Sequence, residues 1–248
     1  MSLITFWHGE VELPALPRRR VKVGENTVEQ SPFPGAVVRA EVKASDVQGH
    51  DLLGTPLLPP FDRMLVRRKG ARRVAAGLPV LSAGYELPEH FPERVVLGWD
   101  DGDQLAGYAA TPEAVLALWN GTFRFSTEDE AEGVAGLRPP QIGALHAIAA
   151  HFAVGARFEP ATVVLPTGTG KTETMLAAQV YRRLPRTLVL VPSVPLRSQI
   201  AGKFASLGVL PDLGIVPVEI ARPRIAALTS GVRTVEDAHT LLREANVI

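Results

Sequence analysis

Residues 163–172 read Val-Val-Leu-Pro-Thr-Gly-Thr-Gly-Lys-Thr, and this stretch decides the fold class of the second half of the chain. An apolar run that ends in a glycine-rich turn and continues into a helix is typical of a phosphate loop. Gly168 and Gly170 let the backbone curl so that its N–H groups converge, and a helix beginning at Lys171 would turn its N-terminus toward the bound anion. The pattern predicts a nucleotide-binding site beside a parallel sheet.

The side chains of this stretch predict ATP and Mg²⁺ as cofactors. Lys171 would reach the β- and γ-phosphates, and the Thr172 hydroxyl would ligate Mg²⁺, which makes these two the candidate catalytic residues. A plain glycine turn before a helix is the alternative, but the flanking apolar run and helix that the motif demands are both present. The further candidate residues for nucleotide binding are Pro166, Thr167, Gly168, Thr169, Gly170 and Glu173.

Helices and short apolar runs alternate on both sides of the loop. Alternation at this spacing predicts a parallel sheet covered by helices. The predicted helices cover about 140–152, 171–183, 195–207 and 235–245, and the predicted strands cover 162–165, 187–191 and 225–228.

The first 130 residues have a different character, because prolines and glycines crowd them. Short apolar runs at 63–66, 94–99 and 122–125 predict strands joined by turns. One helix is marked by Thr111 as its N-cap and Pro112 as its first residue. We therefore expect a β-rich α+β accessory domain at 1–130, an acidic and glycine-containing linker at 131–136, and a phosphate-loop domain at 137–248.

Composition narrows the function classes. The chain has no cysteine, which excludes disulfides, thiolate metal sites and cysteine nucleophiles. No apolar run approaches the roughly 20 residues that cross a bilayer, and no secretory leader is recognisable, so we expect a cytoplasmic protein without a membrane partner. Residues 1–136 carry 14 Lys/Arg and 19 Asp/Glu, and residues 137–248 carry 12 and 7. The half with the loop is thus basic, which is compatible with a nucleic-acid partner.

The loop and its upstream neighbour resemble a known family. Leu165 stands where the general phosphate loop has glycine, and Pro-Thr-Gly-Thr-Gly-Lys-Thr resembles motif I of superfamily 2 helicases and translocases of the DEAD/DEAH and restriction-enzyme type. Residues 137–141, Leu-Arg-Pro-Pro-Gln, resemble the Arg-Pro-x-Gln element of these motors. The resemblance implies that the Gln141 amide recognises the adenine edge, a role for which a donor and an acceptor on one plane are suited. Arg138 joins the candidate nucleotide site with it.

Downstream, residues 187–193 read Thr-Leu-Val-Leu-Val-Pro-Ser and are similar to motif Ia of the family. The resemblance implies that a strand end and the following helix N-terminus touch the phosphate backbone of a single strand. The candidate nucleic-acid contacts are Pro192, Ser193, Arg197 and Gln199. Residues 227–231 look like the next strand of the family, which ends in a Thr/Ser-Gly turn.

The resemblance implies a RecA-like domain of an ATPase that couples hydrolysis to movement on, or unwinding of, DNA or RNA, with DNA slightly favoured. Hydrolysis would also need an Asp-Glu box and a second RecA-like domain. Neither is present in the sequence, since Glu236-Asp237 falls at the start of a predicted helix. We expect a part of a longer polypeptide that binds ATP with negligible hydrolysis, and residues 1–130 could bind a protein partner.

Two alternatives remain open at this stage. The chain could be a nucleotide-binding scaffold or recruitment module that never hydrolyses ATP, or another phosphate-loop NTPase that has no need of Gln141. Two basic clusters, 18–20 and 67–73, could contact phosphates or be ordinary solvated surface. The choice of DNA or RNA, the direction of movement, the pathway and the oligomeric state are not determined by the sequence.

Overall fold

A computed structural model describes residues 5–16, 18–30, 34–73, 77–84, 94–100, 111–129, 131–154 and 159–248 of the chain. The described residues form a mixed α/β protein, as expected. The strands are β1 (Thr5–Leu13), β2 (Arg19–Val23), β3 (Asn26–Gln30), β4 (Ala36–Ala44), β5 (His50–Gly54), β6 (Arg63–Arg67), β7 (Val80–Ser82), β8 (Arg94–Val96), β9 (Gly98–Trp99) and β10 (Ile225–Ala226). The helices are α1 (Pro112–Leu118), α2 (Pro139–Ala153), α3 (Lys171–Arg182), α4 (Val194–Ser206) and α5 (Val235–Glu244).

The chain divides into two compact units. The first, which we call the barrel unit, comprises Met1–Pro17 and Pro32–Tyr108, and the second, the loop unit, comprises Arg18–Ser31 and Ala109–Ile248. These divisions fall at other positions than the predicted linker at 131–136. The hairpin β2–β3 lies in the unit of the phosphate loop because it pairs with β10. Local composition could not predict this pairing, because the two segments are far apart in the sequence.

The barrel unit is built on a sheet of order β8-β1-β4-β5-β6-β7-β9. The two outer strands of this order are consecutive in sequence, since β8 and β9 are separated only by Leu97. β8 pairs in parallel with β1, and β9 pairs antiparallel with β7. One stretch of chain therefore binds both ends of the sheet and closes it into a barrel. The predicted strands at 63–66 and 94–99 are thereby confirmed.

Alternate strand residues fill the barrel interior, as a period of two requires. Two arginines of the cluster 67–73 form ion pairs with aspartates of the barrel unit. Arg67 donates from Nε and Nη2 to the Asp100 carboxylate at 2.8 and 2.6 Å, and Arg68 does the same to the buried Asp51 at 2.9 and 2.6 Å. For these two residues the structure favours an internal role over phosphate contact. The largest interior side chains are Leu13, Leu53, Phe61, Met64 and Leu81.

The loop unit carries all five described helices, and their bounds match the prediction closely. α2, α3, α4 and α5 each begin and end within one residue of the predicted limits. α1 begins as its sequence indicates, because the Thr111 side chain accepts a hydrogen bond from the N–H of Ala114 at 3.2 Å. A local capping signal was sufficient to place the start of α1.

The predicted parallel sheet is only partly formed among the described residues. Parallel bridges join Thr187 to Val247 and Val247 to Ile225. Residues 162–165 pair with no described strand, and the predicted strand at 122–125 is irregular. Val164 is 85% exposed and Leu190 is 84% exposed, so one face of each of these two segments has little cover from described residues. A buried parallel strand needs partners on both sides and cover on both faces, and these segments lack them here.

The regular sheet of the loop unit is instead antiparallel, in the order β10-β3-β2. Ala226 of β10 faces Val28 of β3, and α5 covers this side of the sheet through Leu241 and Ala245. No helix in the described part of the chain is long and apolar enough to cross a membrane.

Candidate nucleotide-binding site

The phosphate loop is held open by two glycines in the left-handed region. Gly168 has φ 84° and Gly170 has φ 80°, and Gly170 is also the N-cap of α3. A side chain on either residue would be strained at these angles. The sequence therefore needs glycine at both positions for the backbone to turn into the helix.

The loop presents unused backbone donors. Among the residues that the structure describes, none accepts a hydrogen bond from the N–H groups of Gly168, Gly170, Lys171 or Thr172. Converging N–H groups at the N-terminus of a helix form an anion site, and the helix dipole adds to the attraction. The backbone geometry is therefore suited to phosphate oxygens.

Two carbonyl groups of the loop, in contrast, accept hydrogen bonds from within the protein. The Pro166 carbonyl accepts from the Thr169 hydroxyl at 2.7 Å and from Lys171 Nζ at 2.9 Å. The Gly170 carbonyl accepts from the backbone N–H and the hydroxyl of Thr174 at 2.9 and 3.1 Å. These two acceptors are thus used by the protein itself, whereas the N–H donors remain for a ligand. On binding, Lys171 would exchange the Pro166 carbonyl for phosphate oxygens.

The first turn of α2 packs against the loop through two predicted site residues. Gln141, which is 5% exposed, donates from Nε2 to the Gly170 carbonyl at 3.0 Å and accepts from the N–H of Arg138 at 2.8 Å. Arg138 in turn donates from Nη1 to the Gly168 carbonyl at 2.8 Å. The structure therefore brings Gln141 and Arg138 to the loop, where they brace its two glycines. One N–H of the Gln141 amide and one lone pair of its oxygen make no hydrogen bond to a described residue.

Glu173 links α3 to α4. Its carboxylate accepts from Lys203 Nζ at 2.6 Å, and its side chain is 15% exposed. Burial works against ionisation of this group, but the hydrogen bonds from Lys203 and from the backbone outweigh it, so the pKa of Glu173 is below its ordinary value. Lys203 was not a candidate from the sequence, because nothing in its local pattern distinguishes it from a solvated helix lysine.

The Thr172 hydroxyl, the predicted Mg²⁺ ligand, lies on the first turn of α3 and makes no hydrogen bond to another described residue. The described residues contain no cluster of three or more His, Cys, Asp or Glu that could hold a metal ion. Mg²⁺ often binds through few protein oxygens together with substrate phosphates, and these surroundings fit that mode.

Two of the four candidate nucleic-acid contacts lie exposed at the start of α4. Ser193 is its N-cap and makes no side-chain capping bond, and Pro192 precedes it. Arg197 is one turn further on the same side of the helix and lines a mostly apolar cavity of about 210 Å³. Gln199, two residues later, points in another direction, since residues two apart on a helix do not share a face. The structure groups the first three and separates Gln199 from them.

The candidate nucleotide-binding residues and the start of α4 lie in one continuous stretch of the chain. Residues 135–214 match the family model described as type III restriction enzyme, res subunit. This stretch is a superfamily 2 helicase-type ATPase domain. The helicase-type segment contains Arg138, Gln141, the phosphate loop and the N-terminus of α4, so the resemblance inferred from these motifs is confirmed. No match was found among curated proteins or among solved structures.

Glu236 and Asp237 lie outside the helicase-type segment and have a structural place. Both are in the first turn of α5, where negative charge stabilises a helix N-terminus. The Thr234 hydroxyl caps the same turn by accepting from the N–H of Asp237 at 3.0 Å. This acidic pair therefore serves the helix start, as its position in the sequence indicated.

Proposed function

We propose that the chain binds ATP with Mg²⁺ in the loop 166–172 and is the nucleotide-binding part of an ATPase that moves on, or unwinds, nucleic acid. The observation that carries the proposal is the set of unused N–H donors at the start of α3, inside a segment of helicase type. A RecA-like parallel sheet around this loop is part of the proposal.

Each site residue then has a role in binding. Lys171 and the loop amides hold the β- and γ-phosphates, and Gln141 offers its remaining donor and acceptor to the adenine edge. Arg138 and Glu173 position the loop and α3. Mg²⁺, held by Thr172 and the phosphates, would neutralise charge on the phosphate oxygens.

The proposed strand site lies at the start of α4. Ser193 offers a helix N-terminus and Arg197 a cation, and both favour a phosphate backbone. The matched family is described as a restriction enzyme, and this favours DNA over RNA as the partner.

The alternative function, a nucleotide-binding recruitment module, differs from the first in that ATP is bound but not hydrolysed. The described residues offer no acidic pair at a strand end that could orient an attacking water, since Glu236 and Asp237 lie in the first turn of α5. This observation favours a chain that holds ATP without turnover, as a recruitment module would. Phosphate release measured with and without DNA should be negligible for this chain. Turnover that DNA stimulates and that Lys171→Ala abolishes would contradict this expectation.

ATP binding is tested by titrating a fluorescent ATP analogue into the wild type and Lys171→Ala. Loss of a charged hydrogen-bond donor should weaken binding roughly tenfold or more. Lys69→Ala is the matched control, because Lys69 is an exposed lysine of the barrel unit. Equal affinity of the wild type and Lys171→Ala would exclude the loop as the site.

A further inference from the structure

The hairpin β2–β3 has two chemically different faces. Val23 and Val28 point to α5 and form an apolar cluster with Ala226. On the opposite face, where strand alternation places the even-numbered residues of β2, lie Arg20 and Lys22. The apolar face fixes the hairpin to the loop unit and leaves the charged face available.

The charged face forms one wall of a groove of about 490 Å³. α4 forms the other wall with three small residues, Ala201, Gly202 and Ala205. A Cβ added to Gly202 would meet no atom within 4 Å, so this wall leaves space for a ligand. We call this space, lined also by Arg18, Lys22, Thr27 and Thr229, the hairpin groove.

Two cations, Arg18 and Lys22, and two carboxylates, Glu25 and Glu29, line the hairpin groove. Each carboxylate is paired with a cation outside the lining, Glu29 with Arg20 at 2.9 Å and Glu25 with Arg233 at 3.0 Å, and Glu29 also lies 3.7 Å from Arg18. Lys22 makes no ion pair with any residue in the described ranges. Because Arg20 and Arg233 neutralise the two carboxylates, the cations of the lining are left to attract an anion.

The spacing of the cations suits a polymer more than a single anion. Arg18 and Lys22 lie four residues apart along the chain leading into and through β2, which is roughly 13 Å in an extended strand. Two cations at this distance can contact different phosphates of one strand, whereas a lone phosphate would use one cation.

A buried side chain fixes the end of the groove at Thr229. Asn26 is 3% exposed, and its Oδ1 accepts from the N–H groups of Thr229 and Ser230 at 3.0 and 3.1 Å. Its Nδ2 donates to the Ser230 carbonyl at 3.2 Å. The hairpin thus fixes the turn at Thr229 and Ser230 that follows β10. The Thr229 side chain remains exposed at the groove.

We propose that the hairpin groove binds the sugar-phosphate backbone of single-stranded nucleic acid, with Lys22 and Arg18 as phosphate contacts and Asn26 as a positioning residue for the Thr229 turn. The proposal rests on the proposed nucleic-acid function. It adds phosphate contacts, Arg18 and Lys22, that are encoded before the helicase-type segment, which begins at residue 135.

The test is fluorescence anisotropy of a labelled oligo-dT with the full chain, without nucleotide, across a series of salt concentrations. Lys22→Ala should reduce the slope of log affinity against log salt by about 0.7, the value for one phosphate contact of a single strand. Lys22→Glu and Arg18→Glu should each weaken binding roughly tenfold at low salt, if each substitution costs about 1.4 kcal/mol. Arg243→Glu is the matched control, because Arg243 is exposed on α5, which covers the other face of the hairpin.

A second variant removes space without changing charge. Gly202→Phe places a ring where the groove is open, and it should weaken oligonucleotide binding while ATP affinity and melting temperature stay unchanged. If the wild type binds the oligonucleotide and Lys22→Ala and Gly202→Phe bind it equally well, the hairpin groove is excluded while the contacts at α4 stand. If the wild type binds no oligonucleotide at any salt concentration, both the groove and the nucleic-acid part of the proposed function are overturned, and ATP binding is judged separately by Lys171→Ala.

Discussion

Gln141 and Gly170 are joined by a hydrogen bond of 3.0 Å from the side-chain amide to the backbone carbonyl. The same amide accepts from the backbone of Arg138, so a single buried side chain connects the start of α2 with the end of the phosphate loop. Buried polar groups that lose a partner are costly, and the loop conformation should therefore depend on this side chain.

Replacement of Gln141 tests that dependence. Gln141→Ala leaves the Arg138 N–H without its partner and should weaken ATP binding by about 1–2 kcal/mol, or roughly 5- to 30-fold. Gln199→Ala is the control, because Gln199 is exposed on α4. Titration with a fluorescent ATP analogue measures both, and an affinity of Gln141→Ala equal to that of the control would contradict the bracing role.

The two loop glycines should respond differently to alanine. Both have positive φ, which costs about 1–2 kcal/mol for a residue with a Cβ. At Gly168 a Cβ would meet no neighbour within 4 Å, whereas at Gly170 it would collide with the Gln141 amide. Gly168→Ala should therefore weaken ATP binding modestly, and Gly170→Ala should abolish it. Similar affinities of the two variants in the same titration would show that the Gln141 contact is unimportant.

The Glu173–Lys203 pair predicts a pH-dependent contribution to stability. The pKa of Glu173 is lowered in the folded chain, so its stabilisation is present above the pKa of the unfolded chain and is lost as the pH falls through the folded value. Glu173→Gln should cost roughly 0.5–1 kcal/mol at neutral pH and nothing in acid below that pKa. Thermal melting without nucleotide, with the exposed Glu132→Gln as control, measures the difference. A loss of stability that is independent of pH would argue for packing instead of charge.

Asn26 should contribute strongly to the stability of the loop unit. Asn26→Ala removes three hydrogen bonds and leaves two backbone N–H groups without their partner, at an expected cost of about 2–3 kcal/mol. Asn120→Ala, at an exposed position after α1, should cost little. Urea unfolding followed by circular dichroism compares them. Equal midpoints would mean that the Thr229 turn holds its shape without the hairpin.

The sequence was informative where the determining interactions are local. Thr111 capped α1 as its position indicated, and the glycine pair before Lys171 placed the loop and the start of α3. A cap acts within one turn and a phosphate loop within a few residues, so a short window contains the whole cause.

Pairings between distant segments could not be foreseen in the same way. Nothing near Asn26 indicates that it binds the turn at Thr229, and nothing near Arg68 identifies Asp51 as its partner. The run 18–20 illustrates the limit, because alternation along β2 places Arg20 on the exposed, charged face of the hairpin and Arg19 on the side of α5. Three adjacent arginines of the sequence thus have different surroundings, which depend on the strand's register.

The hairpin β2–β3 belongs to the loop unit but interrupts the barrel unit in the sequence. The polypeptide passes between the two compact units three times, after Pro17, after Ser31 and after Tyr108. A fragment of residues 135–248 would lose β2 and β3, and the apolar surface of Ala226 and Leu241 would meet water. Transfer of the complete loop unit to another protein therefore requires Arg18–Ser31 as well as Ala109–Ile248, so a single recombination point cannot transfer it.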